Sequence, residues 1–178
     1  MTNTVLAFSG GIASGKSELS TAVAEALGYP RVSFGDYVRT VTGFRGLEQC
    51  RQNWQMVGEA LLLEDPRQFC VAVLTQDSWT PGDPLVVDGV RHVDVTKMLS
   101  KLVSPSELRL VYIDTDTRIR VERLFQRTSD GGSLTTLDEH STEVQVVGAL
   151  RARADLVVDG TKPLAVLVDE VVDWSRRL

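Results

Sequence analysis

Cysteine and histidine are scarce in this sequence, with two of each among 178 residues. Cys50 and Cys70 form no metal-ligand spacing and are expected as buried free thiols in a reducing cytosol. His92 and His140 have no carboxylate or cysteine at a telling spacing, so neither is marked for acid–base work. No run approaches the ~18 apolar residues that a membrane-spanning helix needs. The opening MTNTVLAFSGG has no basic segment and only a short apolar run, so no secretory leader is expected. No repeat, low-complexity tract or interdomain linker interrupts the chain, and no N-K-x-D element marks a GTPase switch. The formal charge of −5 argues against a broad nucleic-acid surface but leaves room for a local basic cleft. Lysine is rare too: 15 of the 19 basic residues are arginine. Arginine suits planar, bidentate phosphate recognition. A GC-rich genome explains the count equally well, so the positions of the arginines carry more information than their number.

What is present is ordinary in amount. Hydrophobic residues make up 43% and charged residues 24%, average for a soluble globular protein, and the length suits one domain over 1–178. The pattern alternates. TVLAF (4–8) is a short apolar strand, and KSELSTAVAEAL has helical spacing with Leu19, Val23, Ala26 and Leu27 on one face, stopped by Gly28. RVSF follows as a strand, then helices near 36–42, 47–64 and 66–78. Asp65-Pro66 opens the last of these as N-cap and first-turn proline. Strands at 84–89, 107–114 and 154–160 alternate with helices near 93–103, 116–127, 142–152 and 163–177. The expected fold is a three-layer α/β domain with a central parallel sheet of about five strands. Ligands of such sheets bind beyond the carboxyl ends of the strands.

The first strand end carries the strongest signal. Gly10-Gly11-Ile12-Ala13-Ser14-Gly15-Lys16-Ser17 matches G-x-x-x-x-G-K-[ST] between an apolar strand and an amphipathic helix. Such a loop turns backbone N–H groups inward around phosphate, and the helix N-terminus adds positive potential. Lys16 is placed for the β- and γ-phosphates and the Ser17 hydroxyl for Mg2+. Asp88 and Asp114 both end strands and compete as second metal contact. Asp88 is preferred, because Gly89 and Arg91 follow it, whereas Asp114 suits a helix N-cap.

The arginines fall at telling places. At 100° per residue, Arg120, Arg123 and Arg127 share one face of a helix, with Val121, Leu124 and Phe125 on another. Arg123 and Arg127 are expected to close over the triphosphate. Arg120 is weighed as an i,i+4 partner of Asp116, and Arg118 as plain surface. Arg39, Arg51 and Arg91 are candidates for an acceptor phosphate, with surface salt bridging as the alternative. Asp36 takes an acceptor hydroxyl, orients Arg39 or caps a helix; Gln55 reads a base edge or faces water. His140 precedes Thr142-x-x-Gln145, a capping box. Trp54 is read as packing.

In this order the pieces resemble the P-loop nucleoside monophosphate kinases, in particular their deoxynucleoside monophosphate kinase-like and dephospho-CoA kinase-like branches. FSGGIASGKSELS is similar to the family's phosphate loop, and SFGDYVR to the segment opening its acceptor-binding helices. Arg51, Gln55 and Gly58 resemble R-x-x-x-Q-x-x-G, VVDGVR a D-V-R or D-G-x-x-R strand end, HSTE the element after the lid, and ADLVVDGT the adenine-side loop. Asp159 stands where the family often has Asn, and the segment 128–140 is too short, and without cysteine, for a zinc-bearing lid.

The resemblance implies a helical acceptor-binding insertion over 36–80 and a short lid over 118–140. It implies ATP and Mg2+ as cofactors and a small-molecule phosphate acceptor. Neither polymeric nucleic acid nor membrane is an expected partner, and the protein is expected to be cytoplasmic, a monomer or homodimer. Lys16, Asp88, Arg123 and Arg127 would form the catalytic group. Asp36, Arg39, Arg51, Gln55 and Arg91 would hold a nucleoside monophosphate, the deoxynucleoside form foremost. Two alternatives remain open at this level: dephospho-CoA or another small molecule as acceptor, and a nucleotide-binding sensor with little turnover.

Overall fold

The structure is a computed structural model and describes residues 3–127 and 146–178. Its sheet consists of β1 (Thr4–Gly10), β2 (Arg31–Ser33), β3 (Leu85–Asp88), β4 (Glu107–Asp114) and β5 (Leu156–Asp159). All neighbours pair in parallel, in the order β2-β3-β1-β4-β5. The expected architecture is therefore present. The helices are α1 (Lys16–Leu27), α2 (Phe34–Phe44), α3 (Arg51–Glu64), α4 (Pro66–Leu74), α5 (Val93–Leu102), α6 (Thr117–Arg127) and α7 (Leu164–Ser175).

Side-chain alternation along β1 builds both cores. Val5 and Ala7 face a layer made by α2 to α5, while Leu6 and Phe8 face α1 and α7. All four are fully buried, and burying a side chain the size of Leu6 or Phe8 contributes about 1.5–3 kcal/mol. On α1 the buried set is Leu19, Ser20, Val23 and Ala24. Ala26, expected on that face, is exposed. At 100° per residue it falls on the rim of the buried arc, which is centred near Val23 and Leu27. Gly28 closes α1 in the left-handed conformation, φ 68°, with its N–H on Glu25 O and the N–H of Tyr29 on Ala24 O.

Several element ends differ from the sequence reading. The chain enters α2 at Phe34, directly after β2. Ser33 is the N-cap and accepts from Asp36 N at 3.2 Å, so Asp36 is not the cap. Gly46, at φ 68°, and the turn after it delay α3 until Arg51. Asp65 caps α4 by accepting from Gln68 N at 2.8 Å, with Pro66 in the first turn, as expected. That helix stops at Leu74 instead of 78, where Gln76 Nε2 donates to Val73 O and to Ser33 O. Asp116, not Asp114, starts α6, accepting from Arg118 N at 2.8 Å. Of the helix expected over 142–152, the described part is a π-helical turn at Val146–Leu150 followed by a 3-10 turn at Arg151–Arg153. His140, the HSTE element and the Thr142–Gln145 capping box lie outside the described residues. Both cysteines are free; Cys70 is buried, whereas Cys50 is only half-buried. Among the described residues no helix is long and apolar enough to cross a membrane.

Registry sets out the site. Ser33 pairs with Asp88, Phe8 with Asp88, Gly10 with Ile113 and Asp114 with Asp159. The ends of all five strands thus lie along one edge of the sheet. The connection from β3 to β4 crosses β1, so the edge beside β1 is the switch point where α/β sheets take ligands.

Candidate active site

The loop from Gly10 to Ser17 leaves β1 at that switch point and enters α1. Gly10 is hemmed in: a Cβ there would lie 2.8 Å from Ser14 Oγ and 2.9 Å from the Ile113 carbonyl oxygen. Gly15 caps α1 at φ 93°, a conformation open mainly to glycine. Ala13, at φ 60°, is the one left-handed non-glycine residue described. Leu19 N closes the first turn on Gly15 O at 3.0 Å. The loop therefore curls tightly over the start of a helix, the arrangement that turns amides toward an anion.

Helix α6 lies across the loop. Arg123 donates from Nη1 to Ser14 O and from Nη2 to Gly160 O, both at 3.0 Å. Arg120 is only 5% exposed and donates to Ile12 O at 3.3 Å. The apolar side of α6 joins in, as Leu124 and Val121 pack on Ile12 and Ala13. Two readings of this helix change. Arg120, weighed as a solvated partner of Asp116, is turned inward; Phe125, placed on the apolar back, is exposed. Arg118 is on the surface, as expected. Arg127 ends α6, and its side chain lies outside the described set.

Thr115 and Gly160 complete this end of the site; the sequence named neither as a site residue, although Gly160 lies in the ADLVVDGT segment that resembles an adenine-side loop. Thr115 Oγ1 donates to Ser14 O at 3.0 Å, and Gly160 N to Asp114 O at 2.7 Å. A Cβ on Gly160 would meet Thr115 Oγ1 at 1.9 Å. Asp159 is exposed and accepts from Thr161 N and Oγ1, which hold its carboxyl below the usual range. Asp114 pairs with Arg151 at 2.9 Å, which leaves Asp88 as the buried strand-end carboxylate of the loop's neighbourhood.

On the other side of the loop stands a group of cations. Asp88, 2% exposed, accepts from Arg31 Nη2 at 2.7 Å through Oδ2. Its Oδ1 is buried without a hydrogen-bond partner among the described residues. Arg31 also reaches Ser20 Oγ at 3.1 Å and the Asp36 carboxylate at 3.6 Å. No local pattern marks Arg31, because its importance arises from the pairing of β2 with β3. Lys16 is half-buried, and burial pushes its ammonium down to about 7, helped by the charges of Arg91, Arg51 and Arg39 and opposed by Asp88. Arg91 falls to about 10, through burial and then Arg51. Burial and Arg39 also lower Arg51, whose Nη1 is buried without a partner among the described residues. The three acceptor arginines chosen from the sequence thus act on one another and on Lys16.

Arg39 is oriented from two sides. Its Nη1 donates to Asp36 Oδ1 at 2.8 Å, and its guanidinium stacks 4.8 Å from the centre of the Trp54 ring. Trp54 Nε1 donates in turn to Gln49 Oε1 at 2.8 Å. Gln55 is half-buried on α3, four residues beyond Arg51. Among the described residues no three His, Cys, Asp or Glu side chains gather to hold a metal. Oxygens beside the loop include the exposed Ser17 hydroxyl and, buried without a partner among the described residues, Asp88 Oδ1, Ser9 Oγ and Ser14 Oγ.

A parallel sheet of this order, with a glycine-rich loop and lysine after its central strand, is the fold of the P-loop small-molecule kinases. A family model described as an AAA domain, AAA_17, matches residues 9–141. The UPF0200 protein of Aeropyrum pernix is 31% identical over 159 residues, covering 87% of this chain and 83% of its own length. That of Thermococcus gammatolerans is 32% identical over 179 residues, covering 92% and 93%. The chain belongs to the AAA_17 family, and UPF0200 proteins are among its relatives. Among solved structures, a gluconokinase from Sinorhizobium meliloti 1021 superposes with a TM-score of 0.66 at 21% identity, covering 99% of this chain and 93% of its own. The shikimate kinase of Aquifex aeolicus does so at 0.63 and 20% identity, covering 97% and 96%. At such identities the likeness is one of fold.

Proposed function

We propose that the chain transfers the γ-phosphoryl group of ATP to the phosphate of a nucleoside monophosphate, the deoxynucleoside monophosphates first among the candidates. The observation that carries this reading is the charge imbalance beside the loop. Burial first, and then the charges of Arg91, Arg51 and Arg39, bring Lys16 down to about 7, in a chain whose net charge is −5. Holding like charges together is costly, and a bound phosphate dianion relieves that cost.

Phosphoryl transfer needs alignment and charge neutralisation more than covalent chemistry. The loop amides and Lys16 bind the β- and γ-phosphates of the donor. Arg91, Arg51 and Arg39 bind the acceptor phosphate and offset the repulsion between two anionic reactants. Asp36 and Trp54 aim Arg39, while Asp36 or Gln55 contacts the acceptor's sugar or base. In this reading α2 to α4, which span 34–74 and fill most of 36–80, form the acceptor subdomain, and 118–140 the lid. Arg123 sits between the loop and Gly160, on the side proposed for the donor's base, and Arg127 would close over the transferring group.

The Ser17 hydroxyl and Asp88 Oδ1 are hard oxygen donors, one exposed and one buried without a partner, and they suit Mg2+. Held by these two oxygens, Mg2+ would supply charge neutralisation to the donor's polyphosphate. Arg31 holds the other Asp88 oxygen and so leaves Oδ1 directed for that use.

The test is ADP formation from ATP over a panel of nucleoside and deoxynucleoside monophosphates, dephospho-CoA and hydroxy acids. Turnover that depends on a nucleoside monophosphate supports the reading. Turnover only with another acceptor keeps the kinase and replaces its substrate. Tight ATP binding without turnover on any acceptor overturns the kinase reading in favour of a nucleotide sensor.

A further inference from the structure

Gly11 is not one of the two glycines that the phosphate-loop pattern requires; those are Gly10 and Gly15. Nor does its backbone need glycine, since it is absent from the positive-φ residues. Yet a Cβ there would lie 2.4 Å from Arg120 Nη1 and 3.0 Å from Arg120 Cζ. The space that a side chain at 11 would take is filled by a guanidinium. That guanidinium is 5% exposed at the residue level, donates to Ile12 O at 3.3 Å and lies 3.5 Å from Thr117 Oγ1.

The next residue shows what this contact does. Ala13 stands at φ 60°, a left-handed conformation that an alanine adopts only when its surroundings impose it. The carbonyls on either side are both held from α6. Arg120 takes Ile12 O, and Arg123 takes Ser14 O together with Thr115 Oγ1. A trans peptide points its C=O and N–H in opposite directions. With the Ile12 carbonyl drawn toward Arg120, the Ala13 N–H faces the other way. Successive backbone N–H groups in a turn that contains a left-handed residue such as Ala13 make a nest of amides for an anion. Leu124 and Val121 press Ile12 and Ala13 from the same helix and keep the strap in register.

We propose that Arg120 is a positioning residue of the phosphate loop: its guanidinium, seated in the space that Gly11 leaves open, holds the Ile12 carbonyl and thereby aims the Ala13 amide at the donor's phosphates. Gly11 and Arg120 are then a matched pair, and neither can change alone without disturbing the loop. The inference rests on the reading of this loop as a nucleoside triphosphate site, and it acts through the loop without requiring Arg120 to touch the nucleotide.

A double-mutant cycle tests it. R120A, G11A, the double variant and R120K are compared with the wild type for Mg·ATP affinity by calorimetry and for thermal unfolding. Affinity is measured at a temperature where circular dichroism finds every variant folded. Losing a charged hydrogen bond that shapes the loop should weaken ATP binding about tenfold to hundredfold in R120A. G11A should weaken it comparably, because the methyl group evicts the guanidinium. The double variant should bind no worse than R120A, since the clash has gone, and R120K should recover part of the affinity. Additive losses in the double variant overturn the proposal. So does an R120A protein that melts earlier but binds ATP within about threefold of wild type, which is what a merely structural role would give. If R120A does not fold, G11A and R120K carry the test, and wild-type affinity in G11A overturns it. A wild-type protein that binds no nucleotide refutes the functional reading instead. The unfolding cycle still decides the pairing: G11A must cost less stability in the R120A background than alone.

Discussion

Replacing Gly160 by alanine perturbs the site through a single methyl group. The added Cβ would lie 1.9 Å from Thr115 Oγ1, 2.8 Å from Ile113 Cγ2 and 3.2 Å from Ser14 O. The first contact is impossible, so Thr115, 7% exposed, must swing aside and release its 3.0 Å hydrogen bond to Ser14 O. That loss is worth about 1–2 kcal/mol, because it leaves a buried carbonyl with fewer donors. The second contact requires Ile113, 1% exposed at the centre of the sheet, to shift, and overpacking of this kind costs about 1–3 kcal/mol. The combined cost is about 2–5 kcal/mol. At about 2–4 °C per kcal/mol for a chain of this size, the melting temperature should fall on the order of 10 °C. Moving the Gly160 carbonyl also disturbs Arg123, so ATP affinity should fall with stability. Scanning calorimetry and nucleotide titration measure both. Adding Thr115→Ala removes the closest clash but not the one with Ile113, so recovery should be partial. A Gly160→Ala protein with wild-type melting and ATP affinity would refute this reasoning.

Two further outcomes are expected. Lys16 has a folded value near 7 against 10.5 for an ordinary lysine, so between these values the unfolded chain binds more protons. Stability of the ligand-free protein should therefore rise from pH 7 to pH 8.5, by at most about 1.4 kcal/mol per pH unit. Urea unfolding across that range should show the slope in the wild type and lose it in Lys16→Met; an equal slope in the variant would contradict the assignment. Cys70 is fully buried and its thiol is pushed up to about 11, whereas Cys50 is half-buried. A thiol reagent at pH 8 should thus modify one cysteine in the native protein and two in denaturant, and rapid native labelling of Cys70 would contradict the packing of α4.

The parts of the fold that were legible in the sequence are those fixed by neighbours along the chain. The phosphate loop, the Gly28 stop and the Asp65-Pro66 start depend on a few consecutive residues, and each stands where its local chemistry puts it. Ends decided by competing acceptors were less legible. Ser33 and Asp36 can both cap α2, as Asp114 and Asp116 can α6; the strand length decides, and in both cases the cap is the residue just before the helix. The arginines chosen from α2, α3 and the β3 end share one electrostatic field with Lys16. Arg31, Thr115 and Gly160 were not legible. Arg31 matters because β2 lies beside β3, and Gly160 because β5 lies beside β4. No local pattern announces a register between strands distant in sequence. Arg120 was legible as a neighbour of Arg123 on one face but not as a buried group: the space that Gly11 leaves for it is a tertiary contact that no helical period shows.

The central claim, that the loop and the cation field align two phosphates for transfer, is tested most directly by following the γ-phosphorus of ATP by phosphorus NMR with wild-type protein, Mg2+ and a deoxynucleoside monophosphate. The account predicts that the γ-signal moves into the β-position of a new nucleoside diphosphate, and that Arg91→Ala slows this while Lys16→Met abolishes it. A γ-phosphorus recovered only as inorganic phosphate, at a rate indifferent to the acceptor, would contradict it.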